Sequence, residues 1–295
     1  MKIKDVRLTP LFSKFTTPYV WAMGKNLGQI TILIEVETDS GVVGYGETAP
    51  TMISPDAILT LLQSAKSILL GQSVTQIIDL MKQLFTQNFG HYRASQMHPR
   101  LGNIAFAGIE LALWDAFGKS LGLPVHALLG GKIHETVSFM GFVQGGTTKE
   151  VAEHARQLVQ DGFEVIYLKA GYTNEKDMAN VEAVRKAIGN KRLRIDPNEA
   201  WDLMEAQIMT NKLARFDLEM VEQPVSAVSG VAALKALKQS CSTPIAADQS
   251  VFTLEEAYTM CASGAVSLLT VGLHEAGGIL GFRQVASMAK VFDIN

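Results

Sequence analysis

The chain is poor in cysteine: Cys241 and Cys261 are the only two in 295 residues. They form no metal-type pair, and two lone thiols in a chain of this length read as reduced and structural, which points to a cytoplasmic setting. Charge is also sparse, with 19% Asp, Glu, Lys and Arg and a formal net charge of −3. No basic run or RNA-binding motif occurs, so a nucleic-acid partner is not expected. No segment reaches the roughly 18 uninterrupted apolar residues of a membrane span, which argues against a membrane partner. The opening MKIKDVRLTP lacks the apolar stretch of a signal peptide. A hydrophobic content of 47% supplies core for one or two domains.

The texture changes once along the chain. Residues 3–12 and 29–37 read as strands, and a turn at Asp39, Ser40 and Gly41 leads into VVGYGE, a hairpin-like pattern. Ser54 and Pro55 suit the N-cap and first position of a helix. Helical patterns cover about 55–70, 75–88 and 101–121; the last is apolar around much of its circumference and ends at Gly122. After LLGGK at 128–132, strand-like runs alternate with helical patterns. Strand tips fall near residues 142, 169, 196, 222, 248 and 272, and such alternation predicts a parallel sheet. The final VFDIN reads as the start of a seventh unit. A closed barrel takes about eight, so the last barrel strands are expected to be missing from this sequence.

Asp196 in RIDPNEAW, Glu222 in MVEQP and Asp248 in IAADQS each close an apolar strand-like run, 26 residues apart. Lys169 in VIYLKAG closes the run one unit earlier. Repeated strand–helix units bring strand ends to one face of a barrel. Any one of these carboxylates reads equally well as a helix cap or a surface charge. Their shared position makes them a set of hard oxygen donors suited to Mg²⁺, or Mn²⁺, and the absence of Cys or paired His argues against zinc. Beside a dication, a partly buried Lys169 is expected to have a lowered pKa and to serve as a general base.

Other positions keep two readings. Tyr19, Trp21 and Met23 lie in TTPYVWAMGKN, a turn-rich stretch between strands. They are apolar loop anchors or a lid over a substrate pocket, where Lys25 would meet a second substrate carboxylate. Asn198 is a hydrogen-bonding neighbour of Asp196 or a turn residue, and Gln249 beside Asp248 is equally open. His274 and Glu275 read as a loop charge pair before they read as groups pointing into the site. Gly145-Gly146 reads as a turn before it reads as an anion site.

ELALWDAFGKSLGLPVHALLGG, YLKAG, RIDPNEAW, VEQP and AADQS, in that order, resemble the domain-junction and strand-end motifs of the enolase superfamily, in its mandelate racemase and muconate lactonizing branch. The resemblance implies an α/β protein with an α+β capping domain over residues 1–130 and a modified TIM (β/α) barrel over 131–295. It implies Mg²⁺ held by Asp196, Glu222 and Asp248, and removal of the proton α to a carboxylate through an enediolate. Relatives usually form symmetric oligomers, so a homo-oligomer is expected.

Three positions depart from the pattern. Tyr167 stands where relatives with a Lys-x-Lys motif have a lysine; it bonds Lys169 or substrate, or it packs. Gly272 stands where muconate-type relatives carry a second catalytic lysine and racemase-type relatives an Asp. Gln249 stands where many relatives have a glutamate. The expectation is an isomerase of racemase or cycloisomerase type acting on a small-molecule carboxylate. Alternatives are a one-base dehydratase of a hydroxy or sugar acid, and a metal-binding protein without turnover. A metal-dependent aldolase or phosphate-handling barrel finds no Gly-rich phosphate loop to support it.

Overall fold

The computed structural model describes residues 1–50, 53–90 and 97–295. Strands β1 (Ile3–Trp21), β2 (Gly24–Thr38) and β3 (Val43–Thr48) form an antiparallel sheet in that order. The first two strands are much longer than the sequence expects. TTPYVWAMGKN is a paired ribbon, with Tyr19 opposite Asn26 and Trp21 opposite Gly24, and only Ala22 and Met23 turn. The reason is local. Tyr19, Val20 and Trp21 favour extended backbone. Pro18 falls in the register shift between Lys14 and Tyr19, where its missing N–H costs no ladder bond.

Helices α1 (Pro55–Leu69), α2 (Ile77–Phe89) and α3 (Met97–Leu121) cover this sheet. Pro55 opens α1 as expected, but Ser54, at the N-cap position, makes no side-chain capping bond. One core is built from Ile32, Ile34 and Val36 of β2, Leu62 and Leu69 of α1, and Phe106, Ile109 and Leu113 of α3. Gly44, Gly46 and Gly108 allow α3 to lie backbone-to-backbone on β3. A Cβ on Gly46 would overlap the Gly108 carbonyl, and one on Gly44 the Ala112 carbonyl.

After α4 (Val125–Leu128), residues 129–140 have no regular structure, and Ile133, Val137 and Phe139 are exposed. The strand expected over VSFMGFV is only β4 (Gly141–Phe142), which has a neighbour on one side alone. The alternation then runs α5 (Thr148–Gln160), β5 (Val165–Lys169), α6 (Asn174–Ile188), β6 (Arg192–Asp196), α7 (Leu203–Leu213), β7 (Met220–Glu222), α8 (Gly230–Ser240), β8 (Ile245–Ala247), α9 (Leu254–Ser263), β9 (Leu268–Leu269) and α10 (Ile279–Val291). Among the described residues β4 to β9 form a parallel sheet in sequence order, an open arc of a β/α barrel. Val165, Ile166 and Leu168 are buried on both faces of the strand, as parallel sheets require. VFDIN divides: Val291 ends α10, while Asn295 accepts from the Leu269 N–H at 2.8 Å, the first step of pairing along β9.

Helix α3 also ties the two parts together. Asn103 donates its amide to the carbonyls of Phe252 and Glu275, at 2.6 and 2.8 Å. Arg100 bonds Glu256 and the Gln249 carbonyl. Glu110, 1% exposed, accepts from the Trp114 indole at 2.8 Å and from the Ile279 and Leu280 N–H groups at 2.8 and 3.1 Å. It therefore caps the N-terminus of α10 from another domain, where unpaired N–H groups and the helix dipole favour an anion. Burial raises its pKa, against these donors. Glu110→Leu leaves three buried donors unsatisfied and is expected to cost about 2–5 kcal/mol, read as a lowered urea midpoint.

Asp177, in the first turn of α6, accepts from the Gly171 and Tyr172 N–H groups and so fixes the backbone just past Lys169. Burial pushes its pKa from 3.8 to about 6. The folded chain keeps a proton that the unfolded chain releases over this window. Its contribution to stability therefore declines as pH rises from about 4 through about 6. Asp177→Asn is expected to flatten that slope, checked by urea midpoints from about pH 4 to about pH 7.

Candidate active site

The ends of β5 to β8 gather the polar residues. Lys169 is the last residue of β5 and is 7% exposed. Its ammonium hydrogen-bonds Asp196 Oδ2, at the end of β6, and reaches the Tyr167 hydroxyl at 3.4 Å. The Tyr167 hydroxyl lies 2.6 Å from Asp196 Oδ2 and 3.2 Å from Glu222 Oε1, so its single proton is shared between two carboxylates. Tyr167 is thus a donor to the acidic cluster. Burial first, then the Asp196 and Glu222 charges, hold its pKa well above the ordinary phenol value.

Asn198 has a left-handed φ of 49°. That turn brings its backbone N–H to Asp196 Oδ1 at 2.7 Å and its side-chain amide to Oδ2 at 2.8 Å. The hydrogen-bonding and turn readings of Asn198 are therefore one fact. Gln249 donates to Asp248. Rings enclose Lys169 on the other side: the centroids of Tyr19, Phe142 and Tyr167 lie 5.8, 5.7 and 5.2 Å from its nitrogen. Trp21 packs on Tyr19 at 5.2 Å, at the outer end of this aromatic row. Met23 and Lys25 are exposed at the ribbon tip. Gly146 donates to Glu150 in the capping box of α5, which is the turn reading of that pair.

The cluster is short of positive charge. Burial, then Asp196, pushes Glu222 to about 7. Burial, then Glu222 and Glu275, pushes Asp248 to about 9. Glu222 Oε2 is buried with no hydrogen-bond partner among the described residues. Hard oxygens that resist losing their protons, one of them unpartnered, fit a divalent cation. As placed, no three Asp, Glu, His or Cys groups among the described residues stand close enough together to hold an ion. Asp196 is turned to Lys169, Tyr167 and Asn198, and Asp248 to Gln249. The lowering of the Lys169 pKa is expected beside a dication; against Asp196 and Tyr19 the shift runs the other way. Burial pulls it down most, but Asp196 and Tyr19 together outweigh burial, so with these partners the value lies above that of ordinary lysine.

Sequence reasoning missed Phe142, Gln223 and Thr270. Gln223 is fully buried with φ 32°. Its side-chain oxygen Oε1 accepts from the Asp248 and Ser250 N–H groups at 2.9 and 3.2 Å, so the residue after Glu222 sets the loop carrying Asp248. The one signal was a polar residue wedged between strand and proline in VEQP. Thr270 stands near enough to Glu222 to oppose the rise of its pKa. His274 and Glu275 form the expected pair, at 3.9 Å, but Glu275 also acts on Asp248.

Residues 4–130 match the mandelate racemase / muconate lactonizing enzyme N-terminal domain, and residues 150–295 match the enolase C-terminal domain-like family. The chain belongs to the enolase superfamily. It is similar to an L-Ala-D/L-Glu epimerase of Bacillus subtilis (strain 168), 29% identical over 98% of this chain and 78% of that one. The dipeptide epimerase of Enterococcus faecalis V583, solved with Mg and L-Leu-L-Tyr, superposes with a TM-score of 0.90 at 27% identity, covering 100% of this chain and 81% of that one. The muconate lactonizing enzyme of Pseudomonas fluorescens, solved with muconolactone, gives 0.91 at 27% identity, covering 100% and 79%.

Tyr167→Phe removes the proton shared by Asp196 and Glu222. It is expected to destabilise the metal-free enzyme by about 1–3 kcal/mol, and Mg²⁺ is expected to restore part of that loss. Thermal melts with and without Mg²⁺ give the comparison.

Proposed function

We propose that this superfamily member is a Mg²⁺-dependent isomerase that moves the proton on the α-carbon of a small carboxylic acid, with Lys169 as the base. One observation supports this most directly: a buried lysine at a strand end, walled by aromatic rings and set against crowded carboxylates. Asp196, Glu222 and Asp248 would hold the dication after turning from their present partners, with Mn²⁺ an acceptable substitute. The dication supplies positive charge to offset the negative charge that the substrate carboxylate gains when its α-proton leaves.

The chain's own groups do the rest. Lys169, once Asp196 is engaged elsewhere, loses the stronger of the two partners that raise its pKa and can take the proton as a neutral amine. Tyr19, Trp21 and Phe142 exclude water from that amine. Tyr167 and Asn198 orient Asp196, and Gln249 and Gln223 orient Asp248 and its loop. A dipeptide-like substrate is favoured because the relatives above include dipeptide epimerases of nearly the same architecture. A second reading, one-base elimination of water, is favoured only by Gly272, which places no side chain at the sixth strand tip.

The test is deuterium exchange at the substrate α-carbon in D₂O with Mg²⁺, using L-Ala-L-Glu, L-Ala-D-Glu, L-Leu-L-Tyr and muconolactone. Lys169→Ala is expected to slow exchange on one stereochemical face by about 10²–10⁴-fold, with Mg²⁺ binding by calorimetry retained. An absence of exchange with all four probes would remove this reading.

A further inference from the structure

Gly272 has no side chain, yet the space where one would begin is filled. An ideal Cβ there would stand 2.9 Å from His274 Cε1, 3.0 Å from His274 Nδ1 and 3.0 Å from Glu275 Oε2. The tip of β9 has folded its next turn back over the glycine. Glu275 accepts from the Gly272 N–H at 2.6 Å, and its other oxygen lies 3.9 Å from His274 Nε2. Asn103 of α3 holds the Glu275 carbonyl at 2.8 Å.

Two observations aim this turn into the barrel. The ladder continues through Thr270, whose N–H donates to the Ala247 carbonyl at 2.7 Å, while its neighbours Leu269 and Val271 pack into the core between sheet and helices and leave Thr270 on the inner face. Alternation along an extended chain puts position 272 on the same face as Thr270. Glu275 is moreover close enough to Asp248 for its charge to act there. In the sheet, β5 with Lys169 and β9 with this turn lie on opposite sides of β6, β7 and β8, which carry the three carboxylates. This order sets Lys169 and the turn bearing His274 on opposite flanks of the carboxylate arc.

We infer that His274 is the second acid/base group of this enzyme, serving the face of the α-carbon opposite Lys169, with Glu275 holding its ring. The inference rests on the α-proton reading above. Lys169 takes the proton, and the electron pair of the broken C–H bond moves into the carboxylate. The His274 imidazolium then donates its proton to the same carbon on the other face, forming the new C–H bond and leaving neutral imidazole. In the reverse direction the two groups exchange roles. A histidine near neutral pH serves both states. The reaction is then epimerisation, and the lysine absent from position 272 is replaced by a residue two places on.

The experiment follows both dipeptide diastereomers of the exchange assay in wild type, His274→Asn, His274→Gln and Lys169→Ala. The wild type should exchange both. The His274 variants should keep exchange of the diastereomer whose proton faces Lys169 and lose exchange of the other, with interconversion, by about 10²-fold or more. Lys169→Ala should show the reciprocal pattern. An independent readout is the His274 Hε1 resonance of the wild type, expected to broaden when paramagnetic Mn²⁺ is added. Unchanged exchange of both diastereomers in the His274 variants, or an Hε1 line unaffected by Mn²⁺ that calorimetry shows to be bound, overturns the assignment. No exchange by the wild type removes the parent reading and this one with it, a pattern distinct from either.

Discussion

Mutual repulsion among carboxylates held out of water at neighbouring strand ends is the constraint around which the site is built. Asp196, Glu222 and Asp248 cannot all ionise cheaply in one buried region: burial first, then the neighbouring charges, raises Glu222 and Asp248. Donors gather on it: the Lys169 ammonium, the Tyr167 hydroxyl, and the Asn198 and Gln249 amides. A buried cluster that remains short of positive charge favours whatever cation can enter. The arrangement that weakens the isolated fold is the one that would give a metal its affinity.

The second organising element is the seam along α3. Its buried face belongs to the core of the capping domain, yet Phe252 and Leu280 from the barrel side pack against that same core. Its polar residues reach the loops after β8 and β9. These are the loops that carry Asp248, His274 and Glu275. The capping domain therefore does more than cover the barrel mouth with the Tyr19–Trp21 ribbon; it fixes the position of groups on the far side of the carboxylate arc.

Much of this was legible in the sequence for a physical reason. Parallel strands buried on both faces leave continuous apolar runs, so VIYL and MV announced their strands, RLRI did so by alternation, and the polar residue closing each run announced its tip. That regularity located Lys169, Asp196, Glu222 and Asp248 together. The hairpin was misjudged because its length depends on pairing, and the register shift that accommodates Pro18 cannot be read from local propensity. Phe142 and Gln223 were missed because their roles arise across strands: one stacks between Tyr19 and Tyr167, the other bonds a loop one unit further on. His274 looked like a loop charge because nothing in the sequence shows a turn folding back over a glycine. The sign of the Lys169 shift was likewise set by which charge stands nearest, a matter of side-chain placement.

The glycine contact between β3 and α3 has a consequence at a distance. With Gly44, Gly46 and Gly108 pressed backbone to backbone, sheet and helix have no compressible layer of side chains between them and move as one body. A single methyl group at position 46 would displace the helix as a whole, and Asn103 would pass that displacement to the turn at Glu275. Position 46, remote from any reacting atom, thereby acts on the far side of the catalytic cleft by leverage.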